Sequence, residues 1–306
     1  SSLAINDQIQ ESLAGRKRIL PVYPLRFTEY LHFIEKDDLI RQVSNLTEID
    51  SDNLGALMPE AFTELERFLV YGGYPEVVLT PDDEKPEVLT SIFDLYVKKD
   101  LVDFLKIDRI SHARTLIRNL AVNHGQETSY SQLAQVAGIN EKTAKNYIEI
   151  LKETFLITVH PPWFTNRNKE LVKMPKIYFH DTGVRNFFVN NFNKAEIRGD
   201  ISFLFEGFVI SELVKAGYSA DHIKFWRTKN GHEVDLVLDD KSGIKPVEIK
   251  YKKQLKPSDL KGLRRYMNEY PDCQTPLIVN LGSNRLKKGF QHVSPFELPM
   301  LLSQVP

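Results

Sequence analysis

The chain has 306 residues, of which 42% are hydrophobic and 26% charged, with a formal net charge of −1. That is an ordinary globular composition, long enough for two or three domains and without a global field that would mark it as nucleic-acid binding. No apolar run reaches the roughly 18–20 residues of a membrane span, no signal-peptide pattern opens the chain, and the single cysteine, Cys273, excludes an internal disulfide framework or cysteine zinc site. The expected compartment is the cytoplasm, with no membrane partner.

The opening "SSLAINDQIQESLAGR" reads as a strand end or turn followed by a helix closed by Gly15. In "PVYPLRFTEYLHFIEK", Pro24 holds an extended approach, Thr28 is the expected cap, and Leu31 and Ile34 belong to the buried stripe of the next helix. The acidic stretch at 45–60 is expected as loop. "EAFTELERFLVYGGYPEVVL" gives a helix to Tyr71 that stops at Gly72-Gly73, and "KPEVLTSIFDLYVKKDLVDFL" another, with a stripe of Val88, Ile92, Leu95 and Tyr96. A helix is expected over 109–122. Ser129 or Ser131 caps a short helix ending at Gly138, and Asn140 caps a second whose buried face is Ala144, Tyr147 or Ile148, and Leu151. The strand "FLITVHPPWF" completes a winged-helix pattern. From "MPKIYFHDTGVRNFF" onward the texture is α/β. Ile177–Phe179 reads as a strand, Asp181 as a helix cap, and "ISFLFEGFVISELVKAG" as an amphipathic helix. "HIKFWRT", "EVDLVLDD", "KPVEIKYK" and "TPLIVNLG" read as strands, with a helix at "PSDLKGLRRYMNEY" before the last.

Ionisable residues interrupt two of these strands. Strict alternation puts Glu233, Asp235 and Val237 on one face of their strand and Val234, Leu236 and Leu238 on the other. Glu248 and Lys250 share a face of the next strand, opposite Val247, Ile249 and Tyr251, and "DDKSGIKP" is the expected hairpin loop. Asp235, Glu248 and Lys250 then lie side by side, an arrangement costing several kcal/mol if buried unpaired. A divalent cation relieves that conflict, and two carboxylates suit Mg²⁺ shared with a phosphate. Lys250 can hold or help deprotonate an attacking water. The plainer alternative is a salt bridge between Glu248 and Lys250 on an exposed strand face.

With Glu206 on a preceding helix, Asp235 on a strand and Glu248-Ile249-Lys250 on the next, the constellation resembles the PD-(D/E)XK nuclease superfamily in an E…D…ExK form. The resemblance implies metal ligation by Asp235 and Glu248, water activation by Lys250 and a supporting carboxylate from Glu206. More widely, "SSLAINDQIQESLAGR", "PVYPLRFTEYL", "YGGYPEVVL", "MPKIYFHDTGVRN", "FEGFVISEL" and "FWRTKNGHEVDLVL…PVEIKYKK" resemble prokaryotic AAA-type ATPases that end in a winged helix and a nuclease-like domain of uncertain function. The sequence has no G-x-x-x-x-G-K-[ST], so ATP is not an expected cofactor of this chain. The opening serines match a point late in the ATPase core, and Arg16 stands where a complete relative could place a nucleotide-sensing arginine; a surface or capping role is the alternative.

The expected architecture is a multidomain α+β and α/β chain. A helical ATPase-lid-like remnant spans 1–105, a winged helix 106–172, and a restriction-endonuclease-like domain 173–306. The leading expectation is a DNA-associated, Mg²⁺-dependent phosphodiesterase module; the alternative is a non-catalytic binding or assembly module, alone as a homo-oligomer or with an ATPase partner. Lys142, Lys145 and Asn146 on the second helix of the helix-turn-helix, with Lys252 and Lys253 in the basic run 250–265, are the candidate DNA contacts. Glu141 and Glu149 dilute the field of the first three. His180-Asp181 is set aside as a metal pair in favour of capping by Asp181, and Trp163 and Trp226 are read as core.

Overall fold

The computed structural model describes residues 21–44, 51–96, 110–165, 173–282 and 289–297. Among them are eleven α-helices and two sheets, a mixed α/β fold. The expectations for 1–20, Arg16 included, and for 97–105 lie outside the described residues.

The first helices are α1 (Phe27–Phe33), α2 (Asp37–Ser44) and α3 (Ser51–Tyr71). Helix α1 begins one residue before the expected cap Thr28. Arg26 is its N-cap, and its first free N–H, that of Phe27, is taken by a carboxylate from a distant helix, Glu212, at 3.2 Å to each oxygen. The stretch expected as loop is helical from Ser51, where Leu54, Ala56, Leu57 and Met58 outweigh the polar residues by helix propensity. Next come α4 (Pro75–Leu79) and α5 (Lys85–Tyr96). The buried stripe of α5 is centred on Leu89 and Phe93, while Leu95, expected inside, is 52% exposed.

Helices α6 (Ile110–Val122), α7 (Tyr130–Ala137) and α8 (Glu141–Glu153) follow. Ser129 caps α7, Gly138 ends it with φ +67°, and Asn140 caps α8 by accepting from Thr143 N at 2.8 Å. Ala144, Ile148 and Leu151 are buried as the spacing implies. Strand β1 (Ile157–His160) pairs antiparallel with β2 (Lys176–Phe179).

Helix α9 (Thr182–Val189) starts at Asp181, which accepts from Val184 N at 3.0 Å and from Gly73 N at 2.7 Å. Thr182 and Asn186 donate to the last-turn carbonyls of α3, those of Phe68, Leu69 and Val70. A Cβ at Gly183 would overlap the Tyr71 carbonyl, so only glycine allows this approach. Helix α10 (Ile201–Lys215) was expected to be amphipathic but is buried continuously from Leu204 to Val214. Between those residues it is enclosed by the large sheet, β2, α3 and α9, so beyond its first turn no face is left to solvent.

The large sheet holds β3 (Ile223–Arg227), β4 (Glu233–Asp240), β5 (Gly243–Lys250), β6 (Leu277–Asn280) and β7 (Gln291–Val293), in that order. The first three are antiparallel and the last three parallel, with α11 (Lys261–Glu269) in the β5–β6 crossover. The hairpin between β4 and β5 is tighter than expected: Asp240 pairs with Gly243, leaving Lys241 and Ser242 as the turn. Strict alternation in β4 fails as well. Trp226 pairs with Val234 but Lys224 with Val237, so Asp235 and Leu236 together oppose Phe225, a β-bulge. Val237 therefore packs with Val234 against Trp163, Trp226, Leu263 and Tyr266, while Leu236 and Leu238 pack with α10.

Candidate functional site

Strands β4 and β5 are antiparallel, so the start of β4 and the end of β5 meet at one end of the sheet. There the bulge turns Asp235 out of the strand's alternation and toward β5. Its Oδ2 accepts from Ile249 N at 2.7 Å and from Lys250 Nζ at 2.9 Å. Lys250 Nζ also lies 2.6 Å from Glu248 Oε1. Glu248 Oε2 is buried and has no hydrogen-bond partner. Glu206 reaches the same place from α10, and all four residues line one cleft of about 780 Å³. This is no exposed-face salt bridge: Asp235, Glu248 and Glu206 are 8%, 4% and 8% exposed.

Burial sets the electrostatics. It pushes the Glu248 carboxyl well above the usual carboxylate range, with the Asp235 charge adding to it and Lys250 opposing it. Glu206 is raised chiefly by burial as well, against the pull of Lys176. Burial works against the Lys250 ammonium, but Asp235 and Glu248 outweigh it and raise its pKa.

Other groups in and behind the cleft carry little local sequence signal. Lys176, at the start of β2, is buried and bridges Glu206 Oε1 at 3.0 Å and Glu233 Oε1 at 2.5 Å. Its Nζ lies 5.2 Å from the centroid of Phe225. Tyr178, two residues on and so on the same strand face, donates to the same Glu206 oxygen at 2.5 Å. Arg227 ties Glu127 at 3.1 Å to Glu233 at 3.6 Å. A lysine opening a four-residue strand reads as a solvent edge; the K-x-Y spacing is the one hint that both side chains face a common partner. The far wall is the start of α11, where a Cβ at Gly262 would overlap the Glu233 carbonyl.

The candidate nucleic-acid contacts are not in the cleft. Lys142, Lys145 and Asn146 are exposed on α8, with Lys145 2.7 Å from Glu141. Lys252 and Lys253 are exposed just past β5; the first is 2.6 Å from Asp259 and the second lies over the Phe62 ring. Asp181 is a cap, and Trp163 and Trp226 are buried.

A metal fits the Asp235–Glu248 pair by donor chemistry, since the two carboxylates converge on one ammonium and one oxygen is buried without a partner. Among the described residues no group of three or more His, Cys, Asp or Glu side chains is arranged to hold an ion. Any ion held by this pair would have two carboxylate ligands and fill its other positions with further oxygens, such as those of water or substrate.

Fold and site together define an α/β protein with a carboxylate–lysine cleft. Residues 62–195 match a family described as a domain of unknown function (DUF8612), and residues 202–299 match a second one (DUF4143). The chain is 26% identical over 245 residues to an uncharacterized protein of Methanocaldococcus jannaschii, covering 78% of this chain and 51% of that protein. It is 24% identical over 252 residues to an uncharacterized protein of Haemophilus influenzae, covering 81% and 56%. It is 31% identical over 147 residues to one of Mycobacterium tuberculosis, covering 47% and 33%. The chain thus spans between a third and just over half of the length of these curated relatives, from 33% to 56%. No solved structure matches it. No helix among the described residues is long and apolar enough to cross a membrane.

Proposed function

We propose that this chain is the nucleic-acid-cleaving part of a larger ATPase-family protein, a Mg²⁺-dependent phosphodiesterase. Its α10–β7 region is read as a restriction-endonuclease-like domain and its α6–β1 region as a winged helix that meets DNA. The reading rests on one observation: Asp235, Glu248 and Lys250 converge within 2.9 Å at the floor of a cleft, with one Glu248 oxygen buried and unpaired.

Asp235 and Glu248 would hold the ion, which when bound supplies Lewis-acid polarisation of a phosphate and a more acidic water. Lys250 then has its ammonium free to face the phosphate and offset its charge, or to exchange a proton with the attacking water. Glu206, held in place by Lys176 and Tyr178, would supply a carboxyl oxygen toward which that water is oriented. The chain is expected not to bind ATP tightly, having no glycine loop with Lys-Ser/Thr to cradle phosphates.

The test is cleavage of plasmid and of labelled oligonucleotides in Mg²⁺ or Mn²⁺. Asp235→Asn, Glu248→Gln and Lys250→Met should each lower the rate by about 10²-fold or more while circular dichroism is unchanged. Equal rates in all three purified variants would sink the assignment. A second reading, an assembly module in which the site is a buried ion-pair cluster, is favoured by the pairing of Lys250 with both carboxylates. A wild-type chain that neither cleaves nor binds nucleic acid at low salt supports it.

A further inference from the structure

The cleft contains two lysines, each set between two carboxylates. Lys250 lies between Asp235 and Glu248, at 2.9 and 2.6 Å. Lys176 lies between Glu206 and Glu233, at 3.0 and 2.5 Å. The two differ in how they are held. Lys250 is near the cleft surface, its side chain 24% exposed, whereas that of Lys176 is 4% exposed. Lys176 comes from a short strand outside the large sheet, is packed over the Phe225 ring and shares Glu206 Oε1 with the Tyr178 hydroxyl. A long, flexible side chain fixed by two ion pairs and a ring face does not leave its place readily.

The charge balance points the same way. Six carboxylates and four lysine or arginine side chains line the cleft, a formal excess of two negative charges. One divalent ion cancels that excess; a second would reverse it. Without Lys176 the excess would be three, and Glu206 and Glu233 would face each other with no cation between them.

We propose that Lys176 is a built-in cation of this site: its ammonium fills, between Glu206 and Glu233, the place a second divalent ion would need, so that the cleft takes one ion at Asp235 and Glu248 and not two. The inference rests on the metal-dependent reading above. It assigns Lys176 as a positioning residue, one that keeps Glu206 aimed and the ion count at one.

The experiment is titration of this chain with Mn²⁺, counting bound ions by electron paramagnetic resonance of the free ion and by calorimetry. One ion per wild-type chain is expected. Lys176→Met, which keeps the volume and removes the charge, should bind two, Lys176→Arg should remain at one, and Lys176→Met with Glu233→Gln should return to one. Two ions on the wild-type chain overturn the proposal whether or not any variant folds, as does a folded Lys176→Met that still binds one. No ion on the wild-type chain overturns the metal-dependent reading itself, and this inference with it.

Discussion

Glu212 illustrates how one residue joins distant parts of the chain and what that costs. Both its oxygens accept the Phe27 N–H at the start of α1, yet it lies in the fully buried stretch of α10. Burial pushes its carboxyl up to about 7, with Lys215 and the Phe27 N–H opposing the shift. A folded-state value above the unfolded one means the native chain holds the extra proton. That contribution is therefore complete below about pH 4.5 and is lost as pH rises through about 7. Glu212→Gln keeps an acceptor for Phe27 and cannot ionise. It should match the wild-type chain near pH 4 and exceed it by about 3 kcal/mol at pH 8 in urea denaturation. Parallel stability curves for the two proteins across that range would show that the Glu212 charge is not the burden inferred here.

At the scale of elements, the clasp between α3 and α9 is a second place where sequence and packing can be tested. The C-terminal carbonyls of α3 are satisfied by Thr182 and Asn186, and Asp181 both caps α9 and binds Gly73 N. Asp181→Ala removes a cap and leaves a buried N–H unpaired, a loss of about 2–4 kcal/mol. Gly183→Ala forces apart two helix ends and should cost a comparable amount; a melting temperature unchanged in both variants would contradict the clasp. Much of this was legible beforehand. Asp181 before an apolar run reads as a cap, and Gly72-Gly73 as a stop, because capping chemistry is local. The carboxylate–lysine group was legible for a similar reason: charges standing in otherwise apolar strands are costly, and the strands are adjacent in sequence. What local pattern could not give is the bulge at Asp235, since one extra residue on one strand leaves no periodic mark of its own. Nor could it give Lys176, whose partners lie 30 and 57 residues further along the chain. The stripe of α5 and the full burial of α10 escaped for the same reason, being set by the elements that pack around them.

Across the whole molecule, the packing ties distant segments together. One hydrophobic cluster joins Phe27, Tyr30, Leu65 and Phe68 to α10 and the large sheet, and another joins Leu89 and Phe93 to α6–α8 and the β1–β2 pair. The cleft is shared too, with Glu127 from the α6–α7 loop facing the start of α11. Any nucleic acid must approach this shared surface past an acidic cleft, which sets the electrostatics of binding. Of the four candidate phosphate-contacting lysines, Lys145 is paired with Glu141 and Lys252 with Asp259. A paired lysine must give up its carboxylate to meet a phosphate, so it adds little net counterion release. Lys142 and Lys253 remain to contribute in full. With about 0.9 per phosphate, a log–log salt slope near −1.8 is expected, against roughly −3.6 if all four acted freely. Lys142→Ala and Lys253→Ala should each flatten it by about 0.9, and Glu141→Gln, by releasing Lys145, should steepen it by a similar amount. Fluorescence anisotropy with a labelled duplex and a labelled single strand, in EDTA and from low to moderate salt, gives these slopes directly. A slope unmoved by all three substitutions would remove these lysines from the interface. No binding even at the lowest salt would turn the basic run past β5 into a surface for an acidic protein partner.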